Sequence, residues 1–177
     1  AQIFEMIDFT DVEVPLYKSA EDNRPADWSL DDGYLDISSV GMRFVIPEGE
    51  EVRWEENSRR KYVFATFLGT YDLHFDLTVT YTSETADIME FYEDFESAMN
   101  SRMTGGFNVG PCVKRLKDIR AMHAAGVSSD APQSIEVCYE LIYKGARLCV
   151  EAHVPSAMNL DDEIRNIESV LNSIEYY

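Results

Sequence analysis

Between residues 73 and 81 apolar and polar positions alternate without a break: Leu73, Phe75, Leu77, Val79 and Tyr81 against His74, Asp76, Thr78 and Thr80. Successive side chains of a strand point to opposite faces, so this period of two predicts a strand with one face in a core. The run 62–68 precedes it across Gly69. Two shorter strands are expected at 34–38 and 41–46, the second stopped by Pro47. Residues 48–60 are dense in charge and read as a connection, with Trp54 inside it. Nearer the C-terminus, the β-rich runs 134–143 and 146–154 flank Lys144-Gly145. A two-residue X-Gly loop between such runs predicts a hairpin, because glycine supplies the positive φ of the tight turn. Tyr143 would then face Ala146 and Glu140 would face Cys149, with Cys138 one diagonal step from Cys149. A four-residue loop would instead set the two cysteines opposite each other.

Elsewhere the period lengthens. Ile88, Phe91, Tyr92, Phe95, Met99 and Met103 recur at three- and four-residue steps. They predict a helix of about sixteen residues, capped at 83–85 and stopped by Gly105-Gly106. Residues 113–127 fit two patterns: Val113, Leu116 and Ile119 have helical spacing, while Ile119, Ala121 and His123 have that of a strand. A last helix is expected from about Asn159, with Asp161, Asp162 and Glu163 in its first turn, where carboxylates favour the dipole. Ile164, Ile167, Leu171 and Ile174 form its buried seam. A hairpin followed at once by an amphipathic helix gives an α+β class, an antiparallel β-sheet flanked by helices.

The order of these pieces resembles the PsbP-like group of folds, which takes in the extrinsic photosystem II subunit, a Ran-binding nuclear-import factor and many exported bacterial proteins. The likeness rests on Gly-Met-Arg-Phe-Val-Ile-Pro at 41–47, a short strand ending in proline, and on the two strands ahead of the helix near Ala86. It rests also on Ile-Arg-Ala-Met at 119–122, on the 134–154 hairpin and on the closing helix, and so covers residues 33–177. It implies an α/β/α sandwich, with helices on both faces of the sheet, and turns 113–127 towards a strand. It carries no functional residue onto this chain, because members of the group share a scaffold and not a task.

With 177 residues, 45% of them hydrophobic and 12% aromatic, the chain can bury the core of one globular domain, expected over 33–177. Residues 1–32 are acidic, carry Pro15 and Pro25, and hold only short apolar patches, the composition expected of an extended tether. The balance of 33 acidic against 15 basic residues gives −18. Such a charge repels phosphate backbones and anionic membrane surfaces, so nucleic acid is not an expected partner. A cation or a basic protein surface is what it would attract. No apolar run approaches the ~20 residues of a membrane span, and no insertion by the chain itself is expected. Ala1 at the start is the expected mark of a chain whose leader has been removed. The expected location is therefore extracellular or in a bacterial cell envelope, and the expected partner a protein or another envelope component. Three cysteines, an odd count, make no disulfide framework. Diagonal neighbours lie ~7–8 Å apart, slightly too far for a bridge, so Cys138 and Cys149 are expected as buried free thiols.

Candidate chemistry is sparse. Gly105 and Gly110 have P-loop spacing, but Pro111-Cys112 stands where Lys-Ser/Thr is required, so the stretch reads as a helix stop and a turn. Residues 27–39 match a calcium loop only at Asp32-Gly33, since Trp28 and Leu30 would fill the first and third ligand positions. Glu48, Glu50, Glu51, Glu55 and Glu56 read as a solvated loop before they read as a divalent site. His74 and Asp76 share a polar strand face, and His153 shares another with Glu151 and Cys149. If those strands are neighbours, His74, Asp76 and His153 are the candidate ligands of a transition metal; no cofactor is expected. A nucleophilic thiolate needs an electropositive setting, which among the cysteines only Cys112 has, beside Lys114 and Arg115. Cys138 stands between Glu136 and Glu140, which would hold its proton on. The basic cluster Lys114, Arg115, Lys117 and Arg120 is expected to pair with the protein's own acids. Trp28 and Trp54 lie outside any clean period and are the candidate interaction surface. Together these features predict an exported or surface-tethered binding module without catalytic activity. A small-ligand or divalent-metal-binding protein is the alternative, with a hydrolase third.

Overall fold

The structure, a computed structural model, describes residues 28–38, 41–46, 51–57, 60–68 and 72–177; at Trp28, Leu30, Asp31 and in the strands between 51 and 81 it describes the backbone alone. In chain order come β1 (Trp28–Asp31), β2 (Tyr34–Ile37), β3 (Met42–Val45), β4 (Glu51–Asn57), β5 (Arg60–Leu68) and β6 (Asp72–Tyr81). A 3-10 turn (Ile88–Phe91) leads into α1 (Tyr92–Arg102). Then follow β7 (Gly106–Leu116), β8 (Ile119–Val127), β9 (Ser134–Tyr143), β10 (Ala146–Pro155), α2 (Leu160–Asn172) and β11 (Glu175–Tyr176). Among the described residues the strands make two sheets: seven in the order β4-β5-β6-β10-β9-β8-β7, and four in the order β1-β2-β3-β11. Every pairing is antiparallel. The class is α+β, an antiparallel sheet flanked by helices, as the hydrophobic pattern predicts.

The β9–β10 hairpin has the predicted register, with Tyr143 opposite Ala146 and Glu140 opposite Cys149. Lys144 and Gly145 both take positive φ, 43° and 78°. A Cβ on Gly145 would stand 2.9 Å from the Thr82 carbonyl oxygen, so the turn needs glycine for space as well as for φ. Cys138 and Cys149 do not bridge each other, and Cys138 is buried but Cys149 only half so.

Four expectations are corrected. Residues 51–57 are a strand paired along β5 and not a connection; Val52 and Trp54 alternate there with Glu51, Arg53 and Glu55, a period of two hidden by the charge. The ambiguous stretch belongs to a hairpin of two strands, and β7 begins already at Gly106. Gly110 lies within that strand and not in a turn. The helix after β6 is capped by Asp87, whose carboxylate accepts from Met89 N at 2.9 Å while Glu90 accepts from Asp87 N at 3.0 Å. This reciprocal box displaces Ser83 and Thr85, which hydrogen-bond to each other instead.

The large sheet has two covered faces. On one, Val137, Leu141, Leu148 and Val150 pack with the small sheet and with Ile164, Ile167 and Leu171 of α2. On the other, Met122, Ala124 and Cys138 meet Ile88, Phe95, Met99 and Met103 of the 3-10 turn and α1. Asn159 starts α2 as predicted, its side-chain oxygen accepting from Asp161 N at 3.1 Å.

Candidate functional site

Among the described residues each face of the large sheet carries a polar cluster. On the α1 face, the last turn of α1 sends Arg102 across β9 and β10. Its Nη1 donates to Glu151 Oε1 at 2.6 Å and its Nη2 pairs with Glu136. On β10, Arg147 Nε donates to Glu140, and its guanidinium lies 4.8 Å from the centre of the Phe91 ring. Glu136 and Glu140 are 7% and 5% exposed. Carboxylates so buried keep their charge only when paired and hydrogen-bonded, which the two arginines accomplish. Arg102, Glu140, Arg147 and Glu151 line, with Asp94, Cys138 and Cys149, a cleft of about 240 Å³ between α1 and the sheet. The Cys138 thiol is pushed up to about 12, chiefly by burial, with Arg102 pulling down and Glu151 pushing up. The flanking glutamates are therefore not the main cause, because arginines neutralise them. Glu136, Cys138 and Glu151 place three ligand-type atoms within 4.8 Å of one another, the one such group among the described residues. Arg102 already supplies the positive charge at that point.

Of the sequence-predicted metal residues, His153 lines a separate depression with Gln133, Ser134 and Pro155. β6 and β10 are neighbours, and their register sets His74 opposite His153 and Asp76 opposite Glu151. The side chains of His74 and Asp76 are outside the described residues, as are those of Trp28, in β1, and Trp54, in β4. Of the basic cluster, Lys114 pairs with Glu168 and Arg120 with Asp87 at 2.7 Å, while Arg115 donates to the Lys117 carbonyl oxygen at 3.3 Å.

On the α2 face, a polar row crosses three strands. Register sets Cys112 of β7 opposite His123 of β8, and His123 opposite Tyr139 of β9. The His123 and Tyr139 rings stack at 4.2 Å. Tyr139 donates to Glu168 Oε1 of α2 at 2.7 Å, and Lys114 donates to the same oxygen. Burial works against the Glu168 carboxylate, yet these two bonds outweigh it and hold its pKa below the usual value. His123 is 1% exposed. Its Nδ1 lies 3.1 Å from the Cys138 carbonyl oxygen, which can only accept, so Nδ1 carries the proton. Nε2 then holds a lone pair, and it has no hydrogen-bond partner. Burial lowers the ring's pKa to about 4, helped by Lys114, although the Cys138 carbonyl and Glu168 pull upward.

Sequence reasoning passed over Arg102, Arg147, Tyr139 and Glu168 as site residues. The signal for this row was present: His123 and Tyr139 put polar atoms at inward positions of runs whose neighbours there are Ala121, Ala125, Val137 and Leu141. The arginines gave none, since an arginine at the end of a helix or on a strand is ordinary.

Comparison with family models and with curated proteins gives no match. Among solved structures the chain is similar to the cyanobacterial PsbP protein of Synechocystis sp. PCC 6803, with a TM-score of 0.58 and 10% identity over 87% of this chain and 95% of that one. The fold is PsbP-like, as the order of elements predicts; at this identity the likeness speaks for the fold alone.

Proposed function

We propose that the chain is a non-catalytic binding module, exported or tethered at a cell surface, which takes a protein or another envelope component on the α1 face of its large sheet. The observation that carries this reading is the state of the ionisable groups. General acid–base or nucleophilic chemistry at neutral pH needs a group whose pKa lies near 7. Here the Cys138 thiol is driven to about 12 and the His123 ring to about 4. Glu136 and Glu140 are locked to Arg102 and Arg147. A contact surface is supported by Met89 and Val113, which stay 48% and 38% exposed on the α1 side. Such residues can supply the apolar part of a protein contact whose rim is polar. The location rests on the composition of residues 1–32.

The test uses the full chain as bait in an envelope extract, beside the Met89→Asp/Val113→Asp double variant. A partner retained by the first and lost by the second, with the melting temperature unchanged, is the expected result. Equal retention would remove this face from the reading. Turnover of an ester, peptide or phosphate substrate, abolished by Cys112→Ser, would replace binding with hydrolysis.

The second reading, a small-ligand or divalent-metal-binding protein, is favoured by one observation, the β6–β10 register that opposes His74 to His153 and Asp76 to Glu151. Directly opposed positions lie about 4.5–5.5 Å apart at Cβ, within the span of one ion's ligands. A metal at ~100 times its Kd would add about 2.7 kcal/mol of stability, lost in His153→Ala.

A further inference from the structure

The most anomalous atom among the described residues is His123 Nε2. It is a buried acceptor with no partner, in a ring made to carry its proton on the other nitrogen. Buried polar atoms are nearly always satisfied, and one that is not points to a water, an ion or a chemical role. The surroundings favour an ion. The Nδ1 proton donated to a backbone carbonyl is the arrangement that fixes a metal-bound imidazole, setting its tautomer and aiming the Nε2 lone pair. Directly across the ladder stands Cys112, a thiol on the edge strand of the sheet and half-exposed. Above the row Glu168 is held by Tyr139 and Lys114, both bonds going to Oε1.

We propose that His123 Nε2, Cys112 Sγ and Glu168 form a site for a single thiophilic divalent ion of the zinc class, open to solvent at the β7 edge. Imidazole, thiolate and carboxylate are the donor set of zinc, and three protein ligands with a fourth position left to water is an open zinc geometry. Binding expels the Cys112 proton to solvent and leaves His123 neutral, as it already is. In the ion-free chain the three atoms do not gather within the 4.8 Å that Glu136, Cys138 and Glu151 achieve. Closing the site takes rotations of the Cys112 and Glu168 side chains, both at the margin of the core and partly solvated, and the ion takes the place of the Lys114 ammonium as the counter-charge of Glu168, which releases that lysine to solvent. The imidazole, which is packed against Tyr139, need not move.

This site lies on the opposite face from the proposed contact surface and stands or falls without it. The experiment is titration of the chelator-treated full chain with cobalt(II), read as a thiolate-to-cobalt charge-transfer band and as its displacement by zinc(II). One equivalent should saturate the band. Cys112→Ser, a near-isosteric change at a half-exposed position, should abolish the band and leave the ion-free melting temperature unchanged. Glu168→Gln should weaken affinity by about tenfold or more. Cys138→Ser, His153→Ala and the Met89→Asp/Val113→Asp variant should bind as the parent does. A band that survives Cys112→Ser, or one that disappears with Cys138→Ser or His153→Ala, overturns the assignment and moves the ion to the α1 face. No band at saturating cobalt overturns it in favour of a buried water on Nε2.

Discussion

The two faces of the seven-stranded sheet are covered in different ways. On the α2 side, β10 buries Ala146, Leu148, Val150, Ala152 and Val154 in strict alternation, and helix and small sheet together close over them. On the α1 side, cover stops at β9. All residues from Ile135 to Leu141 are buried, yet the outward residues of β10, Arg147, Cys149, Glu151 and His153, are only half so. Arg102 and Arg147 stand along that boundary, where the helix ends and the sheet continues. One face is closed by apolar packing, whereas the other ends in ion pairs. A charged seam of that kind ends the covered region without presenting apolar surface at its border.

The strongest break in this contrast is Arg147→Ala. Glu140 would remain 5% exposed with no counter-charge, a situation that costs about 3–5 kcal/mol. Replacing both members, Arg147→Met with Glu140→Leu, should restore most of the stability, since a buried pair and a packed apolar pair are close in free energy. Urea unfolding of the two variants decides it. A single variant that loses less than about 1 kcal/mol would mean that water reaches Glu140, and the seam would count as surface.

Acid should probe the other face. His123 has a folded pKa of about 4, depressed chiefly by burial, against about 6.5 in the unfolded chain. Its contribution is fully present above pH 6.5 and is lost as pH falls through the folded pKa, because the unfolded chain takes up the proton first. The groups facing it are Tyr139 and Cys112 across the ladder and Lys114 and Glu168 from β7 and α2; Glu168, with its own lowered pKa, adds loss in the same direction at lower pH. Between pH 6.5 and 4 the chelated protein should lose about 3 kcal/mol relative to His123→Gln, whose profile over that window should be flat by comparison. Parallel profiles would mean that the ring is solvated, and the α2 face would no longer be the dry one.

What the sequence disclosed follows the range of the interactions. The β9–β10 register and the start of α2 depend on a Lys-Gly turn and on a single asparagine, both local, and both stood out. β4 was concealed because its solvated positions are charged, and charge without context reads as loop. The start of β7 was concealed by two glycines that end one element and begin the next. The site residues were the least legible. Arg102 meets Glu136 and Glu151 across separations of 34 and 49 residues, and nothing in either neighbourhood announces the other. His123 was visible as an inward polar position, but its empty nitrogen depends on β9 supplying a carbonyl to the other one.

The smallest effect concerns how the two covering helices begin. Asn159 caps α2 alone, accepting from Asp161 N and Asp162 N, whereas Asp87 opens the α1 segment through a box closed by Glu90. Asn159→Ala should cost about 1 kcal/mol, and Asn159→Gly only a few tenths, since glycine leaves the first amides open to water. Asp87→Ala should also cost about 1 kcal/mol, with little added by its exposed pairing to Arg120. Thermal unfolding at fixed pH separates these outcomes. If Asn159→Gly cost as much as Asn159→Ala, the asparagine would be acting on the chain's path out of β10 and not as a hydrogen-bond acceptor. The α2 cover would then be held by its connection to the sheet, and the difference between the faces would begin before either helix does.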